Sequence, residues 1–131
     1  MEDQNPSIVS HLSIGTNHFD KAVIFYDKVL ATLGCKQLMN YPGAVAYGKE
    51  YPEFWVQIPI DGKPATVGNG SHIGFIANSE EQVHAFFDAA ISEGGTDDGA
   101  PGPRPDYGEQ YYGCFIRDLD GNKIEATYWK E

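Results

Sequence analysis

Three side chains of this 131-residue chain could together hold a metal ion or move a proton: His11, His72 and Glu125. His11 lies in "SHLSI" and His72 in "SHIGF", short apolar stretches that each carry an imidazole in second place. Glu125 lies in "KIEAT", between an isoleucine and an alanine. Imidazole and carboxylate are common metal ligands and common catalytic groups. A lone strand histidine or a lone glutamate near a chain end is more often hydrogen-bonded or solvated. The chemical reading therefore depends on the elements that position the three.

Those elements repeat. Residues 10–34, "SHLSIGTNHFDKAVIFYDKVLATLG", align without a gap on residues 71–95, "SHIGFIANSEEQVHAFFDAAISEGG". Six of 25 positions are identical, the two histidines among them, where average usage gives roughly one or two. Each copy reads as a strand, a polar junction and a helix. Ala22, Tyr26, Val29, Leu30 and Leu33 recur at helical spacing in the first, and Val83, Phe86, Phe87, Ala90 and Ile91 in the second. Ser79 with Gln82 has the form of a capping box, and Gly34 and Gly94-Gly95 stop the helices. Further strands are expected at 35–41, 44–48 and 53–58, then near Thr96 and at 111–117 and 123–129. The reading is one α+β domain over residues 1–131, built from two βαβββ modules at about 8–60 and about 70–131. Its strands form a curved eight-stranded mixed sheet, a cup, with the helices on the outer face.

Strand parity then orients the candidates. Ile8, Leu12 and Ile14 share one face and His11 and Ser13 the other; Ile73 and Phe75 oppose His72 and Gly74. The apolar sets must meet the helices, so both histidines point into the cup. Ile124 and Ala126 face the helices, and Glu125 and Thr127 the cup. "DLDG" reads as a type I turn with Gly121 as its left-handed residue; closing the hairpin at 118–122 sets Glu125 opposite Phe115 and Thr127 opposite Gly113. His18, in a polar junction, and His84, off the apolar stripe, are expected to be solvated.

Residues 99–113, "GAPGPRPDYGEQYYG", have no counterpart in the first copy and are expected to shape part of the cup's rim. Arg104 there either clamps a ligand carboxylate or phosphate or pairs with Asp97 or Asp98. Tyr107 and Tyr111 either touch a ligand or merely pack. Trp55, on the cup floor, favours a ligand with a flat or apolar part, or else packs at a subunit contact.

Composition bounds the classes. Hydrophobic content of 41% with 15 glycines fits a globular chain with many turns, and a net charge of −10 disfavours nucleic acids and anionic membrane surfaces. "MEDQNPSIV" has no basic segment ahead of an apolar run, so no secretory signal is expected, and no stretch approaches the ~20 apolar residues of a membrane span. Cys35 and Cys114 form no CxxC pair and are expected as two buried free thiols of a cytoplasmic protein.

"HLSIGTNHFDKAVIFYDKVL", "GSHIGFIANSEEQVHAFFDAA" and "FIRDLDGNKIEA" together resemble the vicinal oxygen chelate superfamily of glyoxalases, bleomycin- and fosfomycin-resistance proteins and extradiol dioxygenases. The resemblance implies His11, His72 and Glu125 as metal ligands, with Glu125 also a proton carrier. It implies Zn, Ni, Co, Mn or Fe as the metal and a small oxygen-rich substrate. Trp55, Gln57, Arg104, Tyr107, Tyr111 and Phe115 would then form the substrate surface. Trp55 stands where glyoxalase I-like members carry a fourth, carboxylate ligand, and Gln57 replaces it only if the register slips by two. The superfamily also implies a homodimer, in some members with ligands from both chains. Its bleomycin-resistance branch implies a different class, a metal-free protein that sequesters a drug-like ligand.

Overall fold

The computed structural model describes residues 5–131. Residues 1–4, part of the acidic start read for a secretory signal, lie outside the described residues. The first module runs β1 (Leu12–Gly15), α1 (Phe19–Ala31), β2 (Lys36–Tyr41), β3 (Ala44–Gly48) and β4 (Phe54–Gln57). The second runs β5 (His72–Ile76), α2 (Glu80–Ser92), β6 (Thr96–Pro103), a single 3-10 turn at Pro105–Tyr107, β7 (Tyr111–Arg117) and β8 (Lys123–Trp129). The strands form two four-stranded mixed sheets, in the orders β1-β4-β3-β2 and β5-β8-β7-β6. Each sheet has one parallel pair, at its first strand.

The repeat predicted from sequence is visible in the registers. Ser13 pairs with Trp55 on β1·β4, and Gly74 pairs with Glu125 on β5·β8. Since Ser13 and Gly74 are equivalent, so are Trp55 and Glu125. Parity holds for most positions: Ile14, Ile73, Phe75, Ile124 and Ala126 pack on the helices, while His72 and Gly74 lie on the exposed face; Leu12, expected beside Ile14, is exposed instead. One core serves both modules. Ala22, Phe25, Tyr26, Val29 and Leu30 of α1 and Val83, Phe86 and Ala90 of α2 are buried in it, each large one contributing roughly 1.5–3 kcal/mol. Phe54 meets Phe75 edge to face at 5.0 Å across the modules, and α1 packs on α2.

Polar contacts fix the hairpin that carries Glu125. The Thr16 hydroxyl donates to Asp120 at 2.5 Å, and the Asn17 amide donates to the same carboxylate at 2.8 Å. Tyr26 donates to Asp118 at 2.6 Å, while Asp118 also accepts from the amides of Asp120 and Asn122. The Gly121 amide closes the expected turn on the Asp118 carbonyl, with φ of 92° at Gly121. The junction of module 1 thus grips the last turn of module 2.

Several expectations need correction. The strand near Thr96 is eight residues long and absorbs the first part of the expected loop. Its prolines are tolerated because β6 is an edge strand, and its register shifts twice, at Asp97/Gly99 and Gly99/Gly102. His11 lies one residue before β1 rather than within it, because the partner strand β4 begins only at Phe54; Ile8 is fully exposed. α1 ends at Ala31, so Leu33 is buried beyond the helix, and Ile91 on α2 is exposed. Cys114 is buried as expected, but Cys35 is only half-buried; both thiols are free. The Ser79 hydroxyl caps α2 by accepting from the Gln82 amide, while the Gln82 side chain reaches back to Asn78 rather than to Ser79.

Candidate functional site

Residues of β5, β7 and β8 meet on the face of the second sheet that the helices leave bare. The parallel β5·β8 register sets His72 beside Lys123 and Gly74 beside Glu125, and the β7·β8 hairpin sets Phe115 opposite Glu125, as the turn predicted. His72 Nε2 lies 3.3 Å from Glu125 Oε1, with the imidazole about half exposed and the carboxylate almost buried. Gly74 lies alongside, where a Cβ would make only ordinary contact with Glu125 Oε1, at 3.4 Å.

The other carboxylate oxygen has its own partner. Tyr111 donates its hydroxyl to Glu125 Oε2 at 2.5 Å, a short charge-assisted bond. To reach it the ring lies forward along β7 over Gly113, where any side chain would collide with the Tyr111 hydroxyl. Burial, and next the bond to Glu125, raise the Tyr111 pKa well above the usual phenol range, so it is a donor at neutral pH. Tyr107 and Trp129 hold the ring edge to face, at 5.1 and 5.4 Å. Next to Glu125 on the same face of β8, the buried Thr127 Oγ1 has no hydrogen-bond partner among the described residues.

Two cations stand near the Phe115 ring. Lys123 Nζ stands 4.9 Å and Arg104 Cζ 5.9 Å from its ring centroid, and the His72 ring meets it edge to face at 6.4 Å. Arg104 pairs with neither Asp97 nor Asp98. It donates to the carbonyls of Ala100 and Pro103, and Asp98 pairs with Arg117 instead.

The residues predicted for the site are not all brought together. His72, Glu125, Tyr111, Phe115, Arg104 and Tyr107 converge on the second sheet. His11, Trp55 and Gln57 lie on the first. His11 is exposed, its Nδ1 3.0 Å from the Ser10 hydroxyl, and it borders a cleft with Met39, Tyr51 and Trp55. Trp55 is half-buried and stacks on Tyr41 at 6.3 Å, the planes 8° apart. The register does not slip, so Gln57 pairs with Gly15 and is equivalent to Thr127. Among the described residues, no three His, Cys, Asp or Glu side chains gather closely enough to hold a metal. His18 and His84 are exposed, yet His84 Nε2 meets the Tyr112 hydroxyl at 2.6 Å.

Sequence reasoning missed Lys123. Parity held the signal, since Lys123 is two residues before Glu125 and so shares its face. An apolar cavity of about 650 Å³ runs along β1 and β5 past Ile8, Leu12, Cys35, Phe54 and Phe75, and His72 and Glu125 are not among its walls.

Comparison with known proteins agrees with this architecture. The family model of the glyoxalase/bleomycin resistance protein/dioxygenase superfamily matches residues 8–126. A glyoxalase/bleomycin resistance protein from Albidiferax ferrireducens T118 is 40% identical over 93% of this chain and 98% of its own, with a TM-score of 0.85. A family enzyme from Burkholderia phytofirmans PsJN (17% identity, 94% and 99% covered, TM-score 0.72) has the same fold. So does a lactoylglutathione lyase from Agrobacterium tumefaciens (18%, 95% and 96%, 0.67). No curated protein sequence matches the chain significantly. The chain belongs to the glyoxalase/bleomycin resistance protein/dioxygenase superfamily.

Proposed function

We propose that the protein is a metal-dependent enzyme acting on a small, oxygen-rich substrate, with His72 and Glu125 as ligands of one divalent cation. The observation that carries this reading is the approach of His72 Nε2 to Glu125 Oε1, 3.3 Å apart on the open face of the second sheet. A nitrogen and an oxygen donor already converge there without rearrangement, which fits Zn, Ni, Co, Mn or Fe. A cation so held would act as a Lewis acid on vicinal substrate oxygens. The chain's own residues do the rest. Tyr111 occupies Oε2 and turns Oε1 toward the open side, where Glu125 can accept a substrate proton. Phe115 forms an apolar floor beside the carboxylate.

Two donors are too few, and His11, the repeat equivalent of His72, is the third. We assign it to a second copy of the chain, so that the working unit is a homodimer. Support comes from β1 and β5, both edge strands, flanked by the exposed apolar Ile8, Val9, Leu12 and Ile76. The free thiols of Cys35 and Cys114 fit the reducing cytoplasm.

Elemental analysis tests the reading. Wild type should take up about one cation per chain, and His72→Ala or Glu125→Gln should lose it. Mixing His11→Ala with His72→Ala chains should restore about a quarter of the sites, because half of the dimers then hold one intact site. Wild type that takes up no metal on reconstitution would sink the proposal, and no recovery on mixing would sink its two-chain form.

A second reading, a metal-free binder that sequesters an aromatic ligand, is favoured by Trp55 stacked on Tyr41 where the other module has Glu125. Saturable ligand binding that EDTA leaves unchanged would support it.

A further inference from the structure

We propose that the open face of the second sheet selects anionic small molecules, with Arg104 and Lys123 holding a carboxylate or phosphate-type group and Phe115 supporting the flat or apolar part. The inference rests on the reading of this face as the ligand site, but not on a metal.

The charge balance points there first. The chain carries 19 acidic and 9 basic residues, yet two cations converge on one ring beside the candidate carboxylate. Neither is neutralised: among the described residues, no carboxylate lies within ion-pair distance of Arg104 or Lys123. The nearby acids are engaged elsewhere. Asp97 accepts the Gly99 amide, Asp98 pairs with Arg117, and the Glu125 oxygens face Tyr111 and His72.

The guanidinium also lies close along the strand. A Cβ at Gly99 would lie 3.0 Å from Phe115 Cδ2 and 3.2 Å from Arg104 Nη2, and one at Gly102 would lie 3.2 Å from Nη1. The same two nitrogens donate to Ala100 and Pro103, at 2.7 and 3.1 Å. Arg104 is thus held by backbone carbonyls, which fix its position without cancelling its charge, and it keeps donors free for an anion. Lys123 approaches the ring from β8, next to His72 on β5. Phe115 is itself buried beneath these groups, so a ligand on this face would meet both cations first, with His72 at the ring edge.

The test uses the full chain in EDTA with three probes of similar size: phenylphosphonate, benzoate and benzyl alcohol, each titrated by NMR. Both anions should bind at least about tenfold more tightly than the alcohol, and added salt should weaken them. Arg104→Gln and Lys123→Gln should each weaken the anions about tenfold and leave the alcohol unchanged. The two anion arms show whether the planar or the tetrahedral group is preferred. Anion affinity no better than that of benzyl alcohol overturns the proposal, whatever the variants do. So does anion binding that neither substitution changes. Zinc uptake measured on the same proteins separates this from the metal reading: anion selectivity without zinc uptake removes the metal alone, and zinc uptake without selectivity removes this inference alone.

Discussion

Substituting Gly113 by alanine isolates the contact that holds Glu125. Gly113 lies in β7 without a positive φ, so backbone entropy alone predicts that alanine stabilises by roughly 0.4–1 kcal/mol. The packing predicts the opposite sign. The new methyl would collide with the Tyr111 hydroxyl, and would stand 2.7 Å from both Tyr111 Cζ and the Ala126 carbonyl oxygen. If Tyr111 swings away, it gives up a hydrogen bond to a charged group, about 1.5–3 kcal/mol, and ring contacts worth roughly 0.5–1.5 kcal/mol. Strain against Ala126 adds about 1 kcal/mol. These effects exceed the backbone gain, and the net loss comes to about 3 kcal/mol. In a Tyr111→Ala background only the Ala126 strain remains, so Gly113→Ala should then cost about 1 kcal/mol or less. Urea denaturation of the four proteins gives the coupling, expected at about 2 kcal/mol. Additivity within about 0.5 kcal/mol would show that Tyr111 does not depend on the glycine, and the account of how Glu125 is oriented would fail.

Removing the hydroxyl that links the modules, Thr16→Val, should cost about 1–2 kcal/mol, since Asp120 keeps the Asn17 amide but loses its shortest bond; a thermal melt would read this as a drop of roughly 3–8 °C. Ser79→Ala should cost about 1 kcal/mol by the same assay, through the unmade cap of α2. Alkaline pH should unfold the protein through its buried acids. Burial, then Asp118, raises Tyr26 well above 10.0, and burial pushes Cys114 from 9.0 up to about 12. Both are raised in the fold, so their contribution is complete below pH 9 and declines as the unfolded chain ionises first, from about pH 9 for the thiol and pH 10 for the phenol. Urea midpoints between pH 8 and 11.5 should fall, and Tyr26→Phe should flatten the fall above pH 10. An unchanged slope in that variant would show that Tyr26 does not carry the effect.

The repeat, the parity of the strands and the last hairpin were legible because each rests on local rules. A period of two assigns faces, and a turn ending in glycine fixes the register of its strands. That is enough to set Glu125 opposite Phe115 and to make Trp55 its equivalent. What escaped depends on partners distant in the chain. His11 falls outside β1 because β4 starts late, which "SHLSI" alone does not reveal. β6 extends through two prolines because it is an edge, and edges are a property of sheet order. The bond from Tyr111 to Glu125 needs a ring lying over Gly113, for which the only signal was a tyrosine two residues before a glycine on the same face. Arg104 takes neither of the two aspartates the sequence offers, because the carbonyls of the strand just before it are nearer.

The two modules keep the same register but exchange bulk, and this is why only one of them holds a carboxylate. Trp55 lies opposite Ala46, and Glu125 opposite Phe115. The large ring sits on β4 in the first module and on β7 in the second. Ala46, fully buried, leaves the floor for Trp55. The position equivalent to Tyr111 is Pro42, two residues before Ala44, which pairs with Gln57 as Gly113 pairs with Thr127. Proline has no hydroxyl to donate. A carboxylate at position 55 would thus be partly buried without the donor that Glu125 has, which disfavours its charged form. The first module's lack of a carboxylate at this position is therefore not one exchanged residue. It is the loss of a group of neighbours, and the aromatic stack of Trp55 on Tyr41 has taken their place.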